Sequence, residues 1–147
     1  MFSWLFSNPL PVGEIAPDFS LPDQDGINVS LASLTGKNVV LVFYPADETT
    51  ICTKQLCEFR DSWAEAQQKD VIVLGVNPAG PEKHAKFRAH HKFPFPLLAD
   101  RGQKVAGSYR ANGIIVKRTV YLIGKSGKIR YARRGKPNPD EVLAAAE

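Results

Sequence analysis

Apolar residues along this chain follow two rhythms. "NVVLVFYP" (Asn38 to Pro45), "VIVLGV" (Val71 to Val76) and "TVYLIG" (Thr119 to Gly124) are continuous β-branched and aromatic runs. Runs of this kind, with no polar alternation, predict strands buried on both faces. "GKSGKIRYARR" turns at Ser126-Gly127 into a fourth, more amphipathic strand. Near the start, Asp18 to Leu21 and Ile27 to Leu31 flank the turn-rich "PDQDG", which predicts a hairpin. Helical patterns lie between the runs. The first spans Cys52 or Thr53 to about Gln68. The second spans Pro81 to about His91, with Pro81 at the first helical position. A shorter one runs from Arg101 to about Tyr109, and Asp140 to Ala146 closes the chain behind Asn138 as a cap. "FPFPLLAD" (Phe93 to Asp100) is broken by prolines and reads as a link. Buried strands alternating with helices predict an α/β domain with helices on both faces of the sheet.

A length of 147 residues suits one compact core. The expected organisation is an N-terminal extension over 1–12 and a single domain over 13–147. The opening "MFSWLF" is apolar, but it lacks a charged leader and is too short for a signal core. Trp4 and its neighbours are expected to fold onto the domain or lie loose, with a weak interfacial anchor as the minor alternative. No stable membrane insertion is expected. The expected compartment is the cytoplasm, where a permanent disulfide is disfavoured.

The net charge of +4 hides an asymmetry. Residues 1–100 hold 8 Lys/Arg and 12 Asp/Glu, whereas residues 101–139 hold 11 Lys/Arg and no acid. The basic residues are spread over strands and turns, so the region reads as a solvated face. An acidic protein partner is the second reading, and nucleic acid is not expected.

Both cysteines lie in "FYPADETTICTKQLCEFRD" (Phe43 to Asp61), at the junction of a buried strand and a helix. Thr49 and Thr50 are good N-cap residues, which puts Cys52 in or near the first helical turn. Free N–H groups and the positive end of the helix dipole favour a thiolate there. Cys52, Leu56, Phe59 and Trp63 share one apolar helix face, so Cys52 should face a half-dry pocket. A thiolate in such a pocket needs a cation, and Arg60 or Arg118 can supply it. Cys57 stands about 140° around an ideal helix from Cys52, with Cα atoms about 8–9 Å apart. A disulfide needs roughly 7 Å or less. The pair therefore cannot bridge in an intact helix, and bridging requires the first turns to unwind. On spacing alone, two inert core thiols are the commoner reading, and the strand–loop–helix context makes redox chemistry an equal alternative.

Other constellations say less. His84, His90 and His91 have no zinc-site spacing among themselves or with the cysteines. His84 and His91 could share a helix face in a solvated or capping role. Asp47, Glu48, Glu58 and Asp61 crowd the cysteine segment; Glu58 or Asp61 could pair with Arg60 or Lys54, and no carboxylate chemistry suggests itself. There is no phosphate loop and no GxSxG.

The cysteine segment resembles the active-site segment of peroxiredoxins, in the peroxiredoxin Q or bacterioferritin comigratory protein branch. The family pattern P-x-x-x-T-x-x-C is met by Pro45, Thr49 and Cys52. The branch's continuation is met by Thr53, Cys57, Phe59, Arg60 and Asp61. "APDFSLPDQDG", "HAKFRAHHKFPFPLLAD" and "KRTVYLIGKSGKI" extend the likeness over roughly Gly13 to Arg130. The resemblance implies a thioredoxin-like fold with a central mixed sheet, and a thiol peroxidase acting on hydrogen peroxide and small organic hydroperoxides without metal, flavin or haem. It implies Cys52 as the peroxidatic cysteine and Cys57 as the resolving one, joined in an intrachain disulfide that thioredoxin reduces. It assigns Thr49 to the peroxide or thiolate, Pro45 to shielding the pocket, and Arg118 to stabilising charge. A monomer is expected. Arg130, Arg133 and Arg134 are candidates for docking an acidic reductant. Two departures stand out: Thr50-Ile51 replaces the branch's usual Pro-Gly before Cys52, and "GVNPAGP" (Gly75 to Pro81) replaces its usual "GVS-x-D". The rival readings are a peroxide-sensing switch using the same cysteines, and a structural α/β domain with inert thiols.

Overall fold

The computed structural model describes residues 8–147, so the apolar stretch Met1 to Phe6 lies outside the described residues. A small hairpin comes first, β1 (Ser20–Pro22) against β2 (Asn28–Ser30). The strands β3 (Asn38–Phe43), β4 (Val71–Asn77), β5 (Leu97–Ala99), β6 (Thr119–Ile123) and β7 (Ile129–Arg134) form one sheet in the order β5-β4-β3-β6-β7. β4 runs parallel to both β3 and β5, while β6 runs antiparallel to β3 and β7. The helices are α1 (Thr50–Asp61), α2 (Trp63–Gln68), α3 (Pro81–His91), α4 (Lys104–Ser108) and α5 (Pro139–Leu143).

β3 is the centre of the molecule, and all six of its residues are buried. Successive side chains of a strand point to opposite faces, and the two cores divide accordingly. Val39, Leu41 and Phe43 pack with Tyr109, Tyr121 and the α4 side chains Val105 and Ala106. Val40, Val42 and Tyr44 pack with Cys52, Leu56 and Phe59 of α1, Phe87 of α3, and Val142 and Leu143 of α5. The continuous apolar runs thus reflect a sheet covered on both sides, as the pattern predicts.

The helix and strand boundaries differ from the sequence reading in several places, and the closing helix spans Pro139–Leu143 rather than Asp140 to Ala146. α1 begins at Thr50, two or three residues earlier than expected, and is separated from α2 at Ser62. The proline-broken link contains β5, which completes the sheet edge by pairing Leu97 with Gly75 and Ala99 with Asn77. The third helical stretch begins as a 3-10 turn over Arg101–Gln103. Pro81 opens α3 as expected, and Asn138 caps α5 by accepting from the Asp140 amide. Gly75 has a packing reason: a Cβ there would lie 2.7 Å from Leu97 Cδ2 and 3.2 Å from Tyr44 Cε1. Its bare backbone lets the Tyr44 ring lie close over β4.

Candidate active site

Register assembles the site. Phe43, at the end of β3, pairs with Thr119, at the start of antiparallel β6. The loop leaving β3 and the residue preceding β6 therefore share one edge of the sheet. The loop carries Pro45, Asp47 and Thr49 into α1, and the residue before β6 is Arg118. α1 then lays its apolar face on the sheet, with Cys52, Leu56 and Phe59 buried and Trp63 half-buried at the start of α2.

Cys52 occupies the first turn of α1 and is 1% exposed. Arg118 donates from Nη2 to its Sγ at 3.2 Å and from Nη1 to Gln55 Oε1 at 2.8 Å. Gln55 is itself buried, and its Nε2 reaches the Gly135 carbonyl at 3.5 Å. Cys52 and Gln55 are three residues apart, so they share a helix face. One guanidinium thus spans the sulfur and a carboxamide that fixes its plane. Of the two cations considered from sequence, Arg118 is the one at the sulfur. Arg60 is turned away, donating to the His91 carbonyl at 2.8 Å and to Asp61 at 3.1 Å.

Thr49 is the N-cap residue by backbone conformation, but its side chain makes no capping bond. Its hydroxyl instead donates to the Ala46 carbonyl at 3.1 Å. The oxygen lone pairs of Thr49 and the first amides of α1 are thereby left for other partners. Pro45 is half-buried just after Tyr44. Ile51, at the departure from the branch pattern, is 58% exposed.

Cys57 lies farther along α1, half-buried, and both thiols are free. Burial pushes the Cys57 thiol above its ordinary range; the Arg60 charge opposes that rise and Asp61 adds to it. With α1 continuous from Thr50 to Asp61, the five-residue spacing keeps the two sulfurs from bonding in this conformation.

The Asp47 carboxylate was passed over in the sequence, yet it is the hub of a buried network. Tyr44 Oη donates to Asp47 Oδ1 at 2.6 Å, and Asn77 Nδ2 donates to the same oxygen at 2.9 Å. His84 Nδ1 lies 2.6 Å from Asp47 Oδ2, and its Nε2 lies 3.0 Å from the Leu98 carbonyl. Both ring nitrogens thus face oxygen acceptors. His84 is wholly buried, which corrects its expected solvated or capping role. Burial tends to raise the Asp47 carboxyl, but the bonds from His84, Tyr44 and Asn77 outweigh it and hold the group below the usual carboxylate range. Tyr44 is pushed well above the ordinary phenol range by burial, then by Asp47 and by Cys52. Asn77 belongs to the "GVNPAGP" departure, and its Oδ1 also accepts from the Ala79 amide at 2.8 Å. That departure therefore feeds the network beside the site.

The basic third is largely engaged within the chain. Arg133 pairs with Glu141 at 2.8 Å, Arg130 with Glu147 at 3.6 Å, and Arg134 donates to Thr119 Oγ1 at 2.8 Å. Glu58 meets Lys136 at 2.6 Å rather than Arg60 or Lys54. No helix among the described residues is long and apolar enough to cross a membrane.

A strand–loop–helix junction with a buried cysteine under an arginine, on a mixed five-stranded sheet, places the chain in a family: it belongs to the AhpC/TSA family, whose model matches residues 12–132. Within that family its likeness is to peroxiredoxin Q and the bacterioferritin comigratory proteins. Chloroplastic peroxiredoxin Q of Oryza sativa subsp. japonica is 38% identical over 135 residues, covering 89% of this chain and 62% of that protein. A peroxiredoxin of Mycobacterium tuberculosis is 40% identical over 133 residues, covering 84% of this chain and 85% of that one. Among solved structures, peroxidoxin BcpB of Mycobacterium tuberculosis matches with a TM-score of 0.87 at 33% identity, covering 92% of this chain and 96% of that one. PrxQ of Xylella fastidiosa matches with a TM-score of 0.85 at 26% identity, covering 92% and 94%. The fold is thus the thioredoxin-like fold of peroxiredoxins. The chain spans only about three fifths of the length of the plant relatives, at 62%.

Proposed function

We propose that this protein is a thiol peroxidase that reduces hydrogen peroxide and small organic hydroperoxides. The observation that carries the reading is the 3.2 Å contact between Arg118 and the buried Cys52 sulfur at the start of α1. Cys52 reacts as the thiolate, balanced by the guanidinium. Its sulfur attacks one oxygen of the hydroperoxide, an S–O bond forms, and the O–O bond breaks. The electron pair leaves on the distal oxygen, which takes a proton and departs as water or an alcohol. Cys52 is left as a sulfenic acid.

Thr49 accepts the hydroxyl hydrogen of the peroxide, because its own hydrogen is directed at Ala46. Arg118 and the first amides of α1 stabilise charge developing along the breaking O–O bond. Pro45 keeps bulk water from the sulfur. The first turns of α1 then unwind, Cys57 attacks the sulfenic sulfur, water leaves, and an intrachain disulfide forms. A dithiol reductant of the thioredoxin type restores both thiols by exchange. Residues 13–147 carry the whole reaction as one domain, and every group invoked comes from a single chain. Leu10, ahead of that domain, packs into the core.

The test is a peroxidase assay coupled to thioredoxin and its reductase. Cys52→Ser is expected to be inactive. Cys57→Ser is expected to consume one equivalent of peroxide and then stop. Full turnover by Cys52→Ser would overturn the mechanism.

A further inference from the structure

Three side chains outside this mechanism converge on one point. Glu48 sits between Asp47 and Thr49 with φ of 62°, a left-handed conformation uncommon for a non-glycine residue. That backbone accompanies a carboxylate meeting the C-terminal end of α3. His90 Nδ1 lies 3.1 Å and 3.0 Å from Glu48 Oε1 and Oε2, and His91 Nε2 lies 3.0 Å from Glu48 Oε1. One ligand atom from each of the three residues falls within 4.8 Å of the others. Ligand atoms of a tetrahedral zinc site, each about 2.0–2.1 Å from the metal, stand about 3.3 Å apart. The Glu48–histidine spacings of 3.0–3.1 Å already lie close to that value.

From this convergence we propose a regulatory site for a late first-row divalent cation, such as Zn²⁺, formed by Glu48, His90 and His91. Two imidazoles and a carboxylate suit that class of ion rather than Mg²⁺ or Ca²⁺, which prefer oxygen ligands. His91 is pre-positioned, stacked on Phe93 and edge-on to Phe87. His90 is exposed, so the cation can enter from solvent.

The site's position gives it a consequence. Arg60, in the last turn of α1, already donates to the His91 carbonyl. A cation held by Glu48, His90 and His91 would tie the segment just before α1 to the same end of α3. α1 would then be fixed at both ends, and the unwinding that brings Cys57 to Cys52 would be opposed. The clamp rests on the mechanism proposed above; the binding site itself does not. A cation bound only to the wound form at 100 times its dissociation constant lowers the unwound population about 100-fold.

Binding is tested first, on the thiol-free Cys52→Ser/Cys57→Ser protein titrated with Zn²⁺ and followed by calorimetry and imidazole ¹⁵N spectra. One equivalent is expected to shift His90 and His91 while leaving buried His84 unmoved. Glu48→Gln, His90→Ala and the packing-conservative His91→Phe are each expected to weaken binding by about tenfold or more. Unchanged affinity in all three variants, or a shift of His90 alone, would overturn the site.

The clamp is tested by rapid mixing of reduced wild-type protein and His90→Ala with peroxide, with and without Zn²⁺. Zn²⁺ is expected to slow disulfide formation in the wild type and to do so far less in His90→Ala. Equal slowing in both, or none in the wild type, would overturn the clamp. If the proposed peroxidase mechanism is wrong, the peroxide-dependent phase is missing even without Zn²⁺, and the binding result stands by itself.

Discussion

Two polar clusters reach the Cys52 segment, one through Asp47 before it and one through Gln55 after it, and they are built differently. Arg118, half-buried, touches the Cys52 sulfur and is held by the buried Gln55, whose farther link, to the Gly135 carbonyl, is long at 3.5 Å. The Tyr44–Asp47–Asn77–His84 network touches no reacting atom in the proposed mechanism, and its side chains are buried and fully partnered. In the proposed mechanism the Arg118 charge, held by few bonds, can adjust as the sulfur changes state. A charge meant to fix a backbone is held by many. Asp47 joins the end of β3, β4 and α3, so the loop that presents Thr49 starts from a fixed point even when α1 does not.

The comparison is broken most directly by removing the fixed hub. Asp47→Ala leaves a buried imidazole without its carboxylate and is expected to cost about 3–5 kcal/mol of stability, read by urea denaturation. A loss below about 1 kcal/mol would show that the network is not structural. Arg118→Met is expected to do the opposite. The rate of Cys52 oxidation should fall about 10²–10³-fold while the denaturation midpoint barely moves. Gln55→Leu should act through Arg118, lowering the oxidation rate about tenfold, equivalent to about 1.4 kcal/mol. Gln55→Glu, which keeps an acceptor for Arg118, should recover most of that rate. Equal losses in the two Gln55 variants would remove its positioning role.

The smallest effect concerns pH. The Asp47 carboxyl is held low in the folded state, so its stabilisation is complete above the unfolded value and is lost as pH falls through the folded one. The stability gap between wild type and Asp47→Asn should therefore be flat above about pH 5 and shrink below about pH 4, the ordinary aspartate range. A gap that widened on acidification would contradict the assignment.

The pattern of apolar runs was enough to locate four strands of the main sheet and the inward face of α1, because those features are local and periodic. Arg118 was also legible, since it stands immediately before a buried strand within a stretch matching the family's pattern. Gln55, His84 and β5 were not. Gln55 looks like a solvated helix residue until Arg118, 63 positions away, is brought to its amide. His84 is polar on a face that is buried only because Asp47, 37 positions back, meets it. β5 has three residues among prolines, and its strand character comes from pairing with β4. Each miss depended on a partner distant in sequence. The sequence named Thr49 and Thr50 as cap candidates, and Thr49 is the N-cap residue.

The break at Ser62 divides what reads as one long helix into α1 and α2. Its amide still bonds back to Glu58 and Phe59, and its carbonyl accepts from Ala66, so the chain stays continuous across the break. Beyond it, Trp63 packs against Phe95 with ring centroids 6.2 Å apart. Helix order propagates poorly across such an interruption, so loss of order entering from Thr50 has a natural stopping point. Each oxidation would then loosen a short segment while the sheet and its far cover stay closed. A protease added to the disulfide form would find its cleavage sites between Thr50 and Asp61 and few elsewhere in the domain.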